Sequence, residues 1–184
     1  MGGTVDEKRG TMLAHEEIYR GRIFTLVRDR VRLPQGIEST LEVVRHPGAV
    51  VLLPMPDAGH VILVKQYRYA VDQWVWELAA GTLKPGEDPE AGAVRECEEE
   101  TGLAAGRTEF LGAFYPTPGY CDEKMNLFKL TELAPPAGRP AASQDDDEDV
   151  RASTFALDEV RAMIGRGEIV DLKTVAGISL IQRI

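Results

Sequence analysis

Cysteine is scarce in this 184-residue chain, which has only Cys97 and Cys121. Two cysteines build neither a disulfide framework nor the paired spacing of a zinc knuckle. Cys97 is expected to pack as a small hydrophobe. The three histidines, His15, His46 and His60, are scattered without ligand spacing and receive no role. No apolar run reaches the length of a membrane span, and the opening MGGTVDEKRG has no apolar signal-peptide core. The expected location is therefore cytoplasmic, with no membrane contact. Positive charge is also in deficit: 21 Lys and Arg stand against 30 Asp and Glu, a net charge of −9. A chain without a broad basic surface has little to offer a phosphate backbone, which argues against a general nucleic-acid partner. Local arginines holding a small phosphate ligand are still compatible with that balance. There are no internal repeats. Residues 134–149 form the only biased segment, a proline- and alanine-rich loop closing on Asp145, Asp146, Asp147, Glu148 and Asp149.

The chain does have an ordinary globular composition, 43% hydrophobic and 28% charged, and a length suited to one domain with a sizeable core. Residues 1–15 are polar and predict a poorly ordered start. Residues 18–33 read as a strand, a turn follows at Pro34, Gln35 and Gly36, and residues 39–45 return as a second strand, making a hairpin. The continuous apolar run 49–55 predicts a buried strand. Residues 60–68, 74–78, 110–115, 124–133 and 150–155 predict further strands, and residues 157–165 and 175–184 predict helices. Strands, a helix, strands and then helices imply a mixed α/β fold with a central sheet between helices.

The most informative stretch is GTLKPGEDPEAGAVRECEEETGL, residues 81–103. Gly81, Pro85 and Gly86 punctuate a loop. Asp88 then offers an N-cap, Pro89 the first helical position, and Gly102 a C-terminal cap. On that helix Glu96, Glu99 and Glu100 share one face, with Ala91, Val94 and Cys97 on a neighbouring apolar stripe. Like charges so placed repel by roughly 0.2–0.5 kcal/mol per pair. An acidic run is most often a solvated face, but hard oxygen donors at this density also suit Mg²⁺ or Mn²⁺, which in turn bind phosphate oxygens.

The spacing favours the second reading. Gly81, five residues, Glu87, seven residues, Arg95-Glu96, an apolar residue, any residue, Glu99-Glu100, any residue, Gly102 and Leu103 form a complete Nudix box. The chain resembles the Nudix hydrolases over about residues 18–184. Pro118, sixteen residues after Gly102, and the segments Gln66-Tyr67-Arg68 and 77–81 resemble the ADP-ribose pyrophosphatase branch. Ala79, Lys84 and Asp146 depart from that branch, which commonly has a proline, an acidic residue and a glutamate there. The resemblance implies an α/β/α sandwich with a mixed central sheet and an N-terminal accessory β-hairpin. It divides the chain into a flexible start (1–17), an accessory hairpin exchanged between the subunits of a homodimer (18–47) and a catalytic domain (48–184).

It also implies roles. Glu96, Glu99, Glu100 and the carbonyl of Ala80 would hold Mg²⁺, or Mn²⁺ in its place. Gly81, Glu87 and Arg95 would support them, Arg95 by pairing with Glu87 or a box glutamate. The base is expected among Glu99, Glu148 and Asp146, with Glu123 a weaker choice. Arg22, Ile23, Arg68, Glu77 and Gly119 would contact substrate. Arg68 is read as a bidentate clamp on phosphate or terminal ribose, the alternative being an arginine lying over the neighbouring tyrosines, and Trp74 and Trp76 are read as core or interface aromatics. The implied activity is hydrolysis of ADP-ribose to AMP and ribose 5-phosphate. The alternatives are another nucleoside diphosphate sugar such as GDP-mannose, or a sensor that binds ADP-ribose without cleaving it. The intact glutamates count against the sensor.

Overall fold

The computed structural model describes residues 9–137 and 150–181. Their contacts group into two units: one of residues up to Pro47 with Thr117–Glu123, the other of Gly48–Pro116 with residues from Lys124 onward.

In the first unit, β1 (Thr11–Arg20), β2 (Thr25–Arg32) and β3 (Glu38–Arg45) form an antiparallel sheet in that order. The expected hairpin is present as β2 and β3, paired from Thr25 with Arg45 to Arg32 with Glu38. Two expectations are corrected. Residues 11–15, read as part of a poorly ordered start, lie in β1. The strand expected over 18–33 is two strands, because the chain turns where Gly21 N–H donates to the Phe24 carbonyl at 2.9 Å. Val27 and Asp29 of β2 are each 2% exposed. Asp29 accepts from Arg45 at 2.7 Å and lies 2.6 Å from His15 Nδ1. The bond to His15, reinforced by Arg45, holds the Asp29 carboxyl below the usual range despite its burial.

The loop Thr117–Glu123 runs beside β3. Val44 N–H donates to the Tyr120 carbonyl at 2.8 Å and Asp122 N–H to the Val44 carbonyl at 3.1 Å. Asp122 also accepts from Arg45 at 3.0 Å and from the His46 N–H at 2.8 Å.

The second unit is built on a mixed sheet in the order β7 (Ala80–Thr82), β4 (Ala49–Pro54), β9 (Met125–Ala134), β8 (Ala104–Phe114). Only the β4–β9 pairing is parallel. A second, antiparallel sheet runs β10 (Arg151–Ala156), β5 (His60–Arg68), β6 (Gln73–Glu77). The apolar run of β4 is buried on both faces, and its alternation divides the core. Val51 and Leu53 join Leu157, Val160, Met163 and Ile178 on the side of α2 (Leu157–Arg166) and α3 (Leu172–Leu180). Val50 and Leu52 join Ala93 and Cys97 on the side of α1 (Pro89–Thr101). The sheet thus lies between helices, as expected. Each fully buried Leu or Val contributes roughly 1.5–3 kcal/mol relative to exposure.

The buried stripe of α1 differs from the one expected. Ala91 is exposed and Val94 half-buried, whereas Gly92, Ala93, Cys97, Glu98 and Glu100 are buried. Gly92 faces Leu83, where an added Cβ would press on Cδ2 at 2.9 Å, and Ala93 next to it is buried in the core beside β4. The last helix begins three residues earlier than expected, because the Asp171 side chain caps it by accepting from Thr174 N–H at 2.9 Å.

Candidate active site

The acidic helix is placed by its ends. Asp88 Oδ2 accepts from the N–H groups of Glu90 at 3.0 Å and Ala91 at 3.1 Å, satisfying two of the helix's free donors. Gly102, at φ 72°, ends the helix by donating to the Glu98 carbonyl at 3.0 Å. Between these caps one guanidinium gathers three carboxylates. Arg95 grips Glu87 in a fork, Nε to Oε1 at 2.8 Å and Nη2 to Oε2 at 2.9 Å. Its Nη1 donates to Glu96 at 2.6 Å and Glu99 at 2.7 Å. Both pairings foreseen for Arg95 therefore occur together. Glu87 Oε2 also accepts from Lys84 N–H at 2.9 Å, which pins the loop to the helix.

Two backbone features bring the sheet to this cluster. Glu100, 8% exposed, lies with Oε1 3.3 Å from the Ala80 N–H that donates to it. At Gly81 an added Cβ would land within the carboxylate of Glu96, so only glycine lets β7 pass that close. The Arg95 bonds hold Glu87 far below its ordinary pKa, at about 2, against its partial burial. Arg95 itself is raised, first by Glu87 and further by Glu96 and Glu99.

Among the described residues the carboxylates do not close into a three-ligand cage, and Arg95 Nη1 bonds both Glu96 and Glu99. The donor set nevertheless suits a hard divalent cation. It has more carboxylates than cationic groups, it is all oxygen, and the Gly81 cradle holds Glu96 against the backbone next to Ala80.

A second cluster lies at the ends of β5 and β6. Glu77, 2% exposed, accepts from Arg68 Nε at 2.7 Å on one oxygen and from Lys173 Nζ on the other. Lys173 also lies 3.1 Å from Asp171. Burial alone would lower Arg68, but its bond to Glu77 and the nearby charges of Glu77, Glu100 and Asp171 leave its pKa raised. Arg68 and Glu77, each expected separately to contact substrate, are in direct contact with one another. Lys173 and Asp171 escape a reading of the sequence because Lys173 and Glu77 are 96 residues apart. The one local signal was Asp171 three residues before Thr174, a cap pattern ahead of an apolar run.

The NUDIX domain family model matches residues 44–176. This chain belongs to the Nudix family. An ADP-ribose pyrophosphatase from Bacillus subtilis (strain 168) is 37% identical over 170 residues, covering 92% of this chain and 91% of that protein. A methanol dehydrogenase activator from Bacillus methanolicus is 37% identical over 182 residues, 99% and 96% of the two chains. The solved structure "Crystal structure of ADP compounds hydrolase" superposes with a TM-score of 0.79 at 23% identity, covering 97% of this chain and 95% of that one, a likeness of fold.

The remaining residues singled out around the Nudix box fall in different places. Arg22 and Ile23 lie in the β1–β2 turn, with Ile23 half exposed, and Gly119 in the Thr117–Glu123 loop, all in the first unit. Glu123 is 4.0 Å from His46 Nδ1 in the same unit. Asp146 and Glu148 lie outside the described residues. Trp76 packs edge-on against Phe155 at 4.9 Å and borders the core, whereas Trp74, 46% exposed, lies beside Tyr67 and under Arg151.

Proposed function

We propose that this Nudix protein hydrolyses the diphosphate bond of ADP-ribose to AMP and ribose 5-phosphate with Mg²⁺, Mn²⁺ serving in its place. The observation that carries this reading is the complete box folded into one cluster, with Glu96, Glu99 and Glu100 on one helix and β7 passing against them at Gly81. The relatives named above support the substrate. Glu96, Glu100, Glu99 and the Ala80 carbonyl would hold the metal. Held by these groups, Mg²⁺ would supply charge neutralisation of the diphosphate and activation of a water.

The chain's own groups do the rest. Arg95 and Glu87 keep the loop and helix in register, so the glutamates stay convergent. Arg68, anchored through Nε, offers its remaining guanidinium donors to a phosphate or ribose. Glu99, whose side chain is the most exposed of the box carboxylates in ion pairs at 29%, is the described group suited to take the proton of the attacking water, alongside Glu148 and Asp146. We further assign Arg22, Ile23 and Gly119 to substrate contact. The hairpin within residues 18–47 is read as an accessory element exchanged in a homodimer, and residues 48–184 as the catalytic domain, in a cytoplasmic protein that engages no nucleic acid. Among the described residues no helix is long and apolar enough to cross a membrane.

The test is a Mg²⁺-dependent hydrolysis panel of ADP-ribose, GDP-mannose, ADP-glucose, NADH, diadenosine polyphosphates and 8-oxo-dGTP, with products identified. ADP-ribose should lead in kcat/KM and give AMP. A different best substrate would refute the substrate assignment while leaving the box chemistry. Binding of ADP-ribose without cleavage would favour the sensor.

A further inference from the structure

The first turn of α3 touches the candidate site from behind, and no part of the Nudix box explains it. Glu77 is 2% exposed, and each of its carboxylate oxygens is taken by a different cation, Oε1 by Arg68 and Oε2 by Lys173. The Lys173 side chain is itself only 7% exposed and has a second carboxylate, Asp171 Oδ1, at 3.1 Å. A buried charge is retained when every partner is satisfied, and here the four charges alternate from Asp171 through Lys173 and Glu77 to Arg68. Arg68 is the outer end of that row, with a side chain 42% exposed. Its bond to Glu77 engages Nε, which leaves the end-on edge of Nη1 and Nη2 for a phosphate fork.

The same turn also reaches the strand that leads into the box. Asp171 Oδ2 accepts from Thr174 Oγ1 at 2.6 Å, and Thr174 Oγ1 accepts from the Leu78 N–H at 2.7 Å, two residues before Ala80. Thr174 is fully buried, and at Gly177 an added Cβ would strike Leu78 Cδ1 at 2.6 Å, so the turn is seated tightly.

We propose that Lys173 is a positioning residue for substrate binding: it holds Glu77 in place so that Glu77 aims the Arg68 guanidinium at the diphosphate. The proposal rests on the role given to Arg68 above. It differs from simple neutralisation of a buried carboxylate, because it makes the effect of Lys173 on binding pass through Arg68. Removing Lys173 frees Glu77 to turn, Arg68 follows it, and the bidentate geometry is lost before the substrate arrives.

A double-mutant cycle on the full chain tests this. Lys173→Met, Arg68→Met, the double variant and Lys173→Arg are compared by ADP-ribose Kd in EDTA, measured by calorimetry, and by KM and kcat with Mg²⁺. Lys173→Met should raise Kd and KM about 10-fold, the size of one lost charge-assisted contact, while kcat stays within about 3-fold. In the Arg68→Met background the same change should add less than about 2-fold, and Lys173→Arg should restore most of the binding. Unchanged Kd and KM, a fall confined to kcat, or full multiplication of the two losses would each overturn the proposal. If Lys173→Met does not fold, Glu77→Gln replaces it in the cycle with the same expected non-additivity. If the wild type ignores ADP-ribose, the functional reading fails. The cycle is then run with inorganic pyrophosphate as probe, where non-additivity upholds the positioning role and multiplication or no effect refutes it.

Discussion

The two charged clusters of the second unit are opposites in their balance. Around Arg95, the carboxylates of Glu87, Glu96 and Glu99 share a single cation, with Glu100 on the same helix. Around Glu77, two cations, Arg68 and Lys173, face two anions, Glu77 and Asp171. The first cluster has negative charge in excess, so it gains most from an added cation and is suited to divalent metal and phosphate chemistry. The second is neutral within itself. Its two carboxylates are paired within it, and Arg68 joins it through Nε. Both clusters reach the stretch 77–81, which joins β6 to β7.

The contrast can be broken first at its acidic side. Glu100→Gln removes one charge from the surplus while keeping the shape. Turnover with Mg²⁺ should fall by at least about 10²-fold with the far-ultraviolet spectrum unchanged, the scale of losing one electrostatic contact to a developing charge. Near-normal turnover would remove Glu100 from the metal set.

A smaller effect is expected from geometry alone. Gly81→Ala changes no charge but drives a Cβ into the Glu96 carboxylate. The cluster must open, and kcat should drop about 10-fold with a stability loss of about 1–3 kcal/mol, read from steady-state rates and the denaturation midpoint. Equal kcat in wild type and variant would show that Glu96 need not lie against β7.

The smallest effect at neutral pH belongs to Glu87, and it grows in acid. Its pKa is lowered from 4.5 to about 2 by Arg95. A lowered folded-state value contributes stability that is complete above the unfolded pKa and is lost as pH falls through the folded one. The wild type should therefore lose stability between about pH 5 and 2 more steeply than Glu87→Gln, as followed by acid unfolding. Parallel acid profiles would mean that the Arg95 fork holds nothing in the fold.

What could be read from the sequence follows the range over which its signals act. The caps Asp88 and Gly102 lie within a turn of the helix they end, so α1 and its glutamates were legible, as was the all-apolar β4. Strand β1 was not: nearly every residue of Thr11–Arg20 is exposed, so no apolar alternation marks it. Strand β8 was read too short, because its first half, Ala104–Glu109, has two alanines, a glycine and three polar residues and so shows no apolar alternation. The Glu77 network was out of reach for another reason. Its partners come from β5, β6 and α3, and only the finished fold joins a lysine to a glutamate 96 positions away.

The loop Thr117–Glu123, bonded to β3 within the first unit, has a consequence for the order in which the chain assembles. At synthesis rates of about 5–20 residues per second, the ribosome needs roughly 4–15 s after Pro47 to reach Glu123. During that interval β1, β2 and β3 are complete in sequence, but Arg45 and the Val44 backbone still await Tyr120 and Asp122. The part of the protein made first is finished late. Its completion is a long-range closure, and refolding experiments should register it as a slower step than the formation of the hairpin itself.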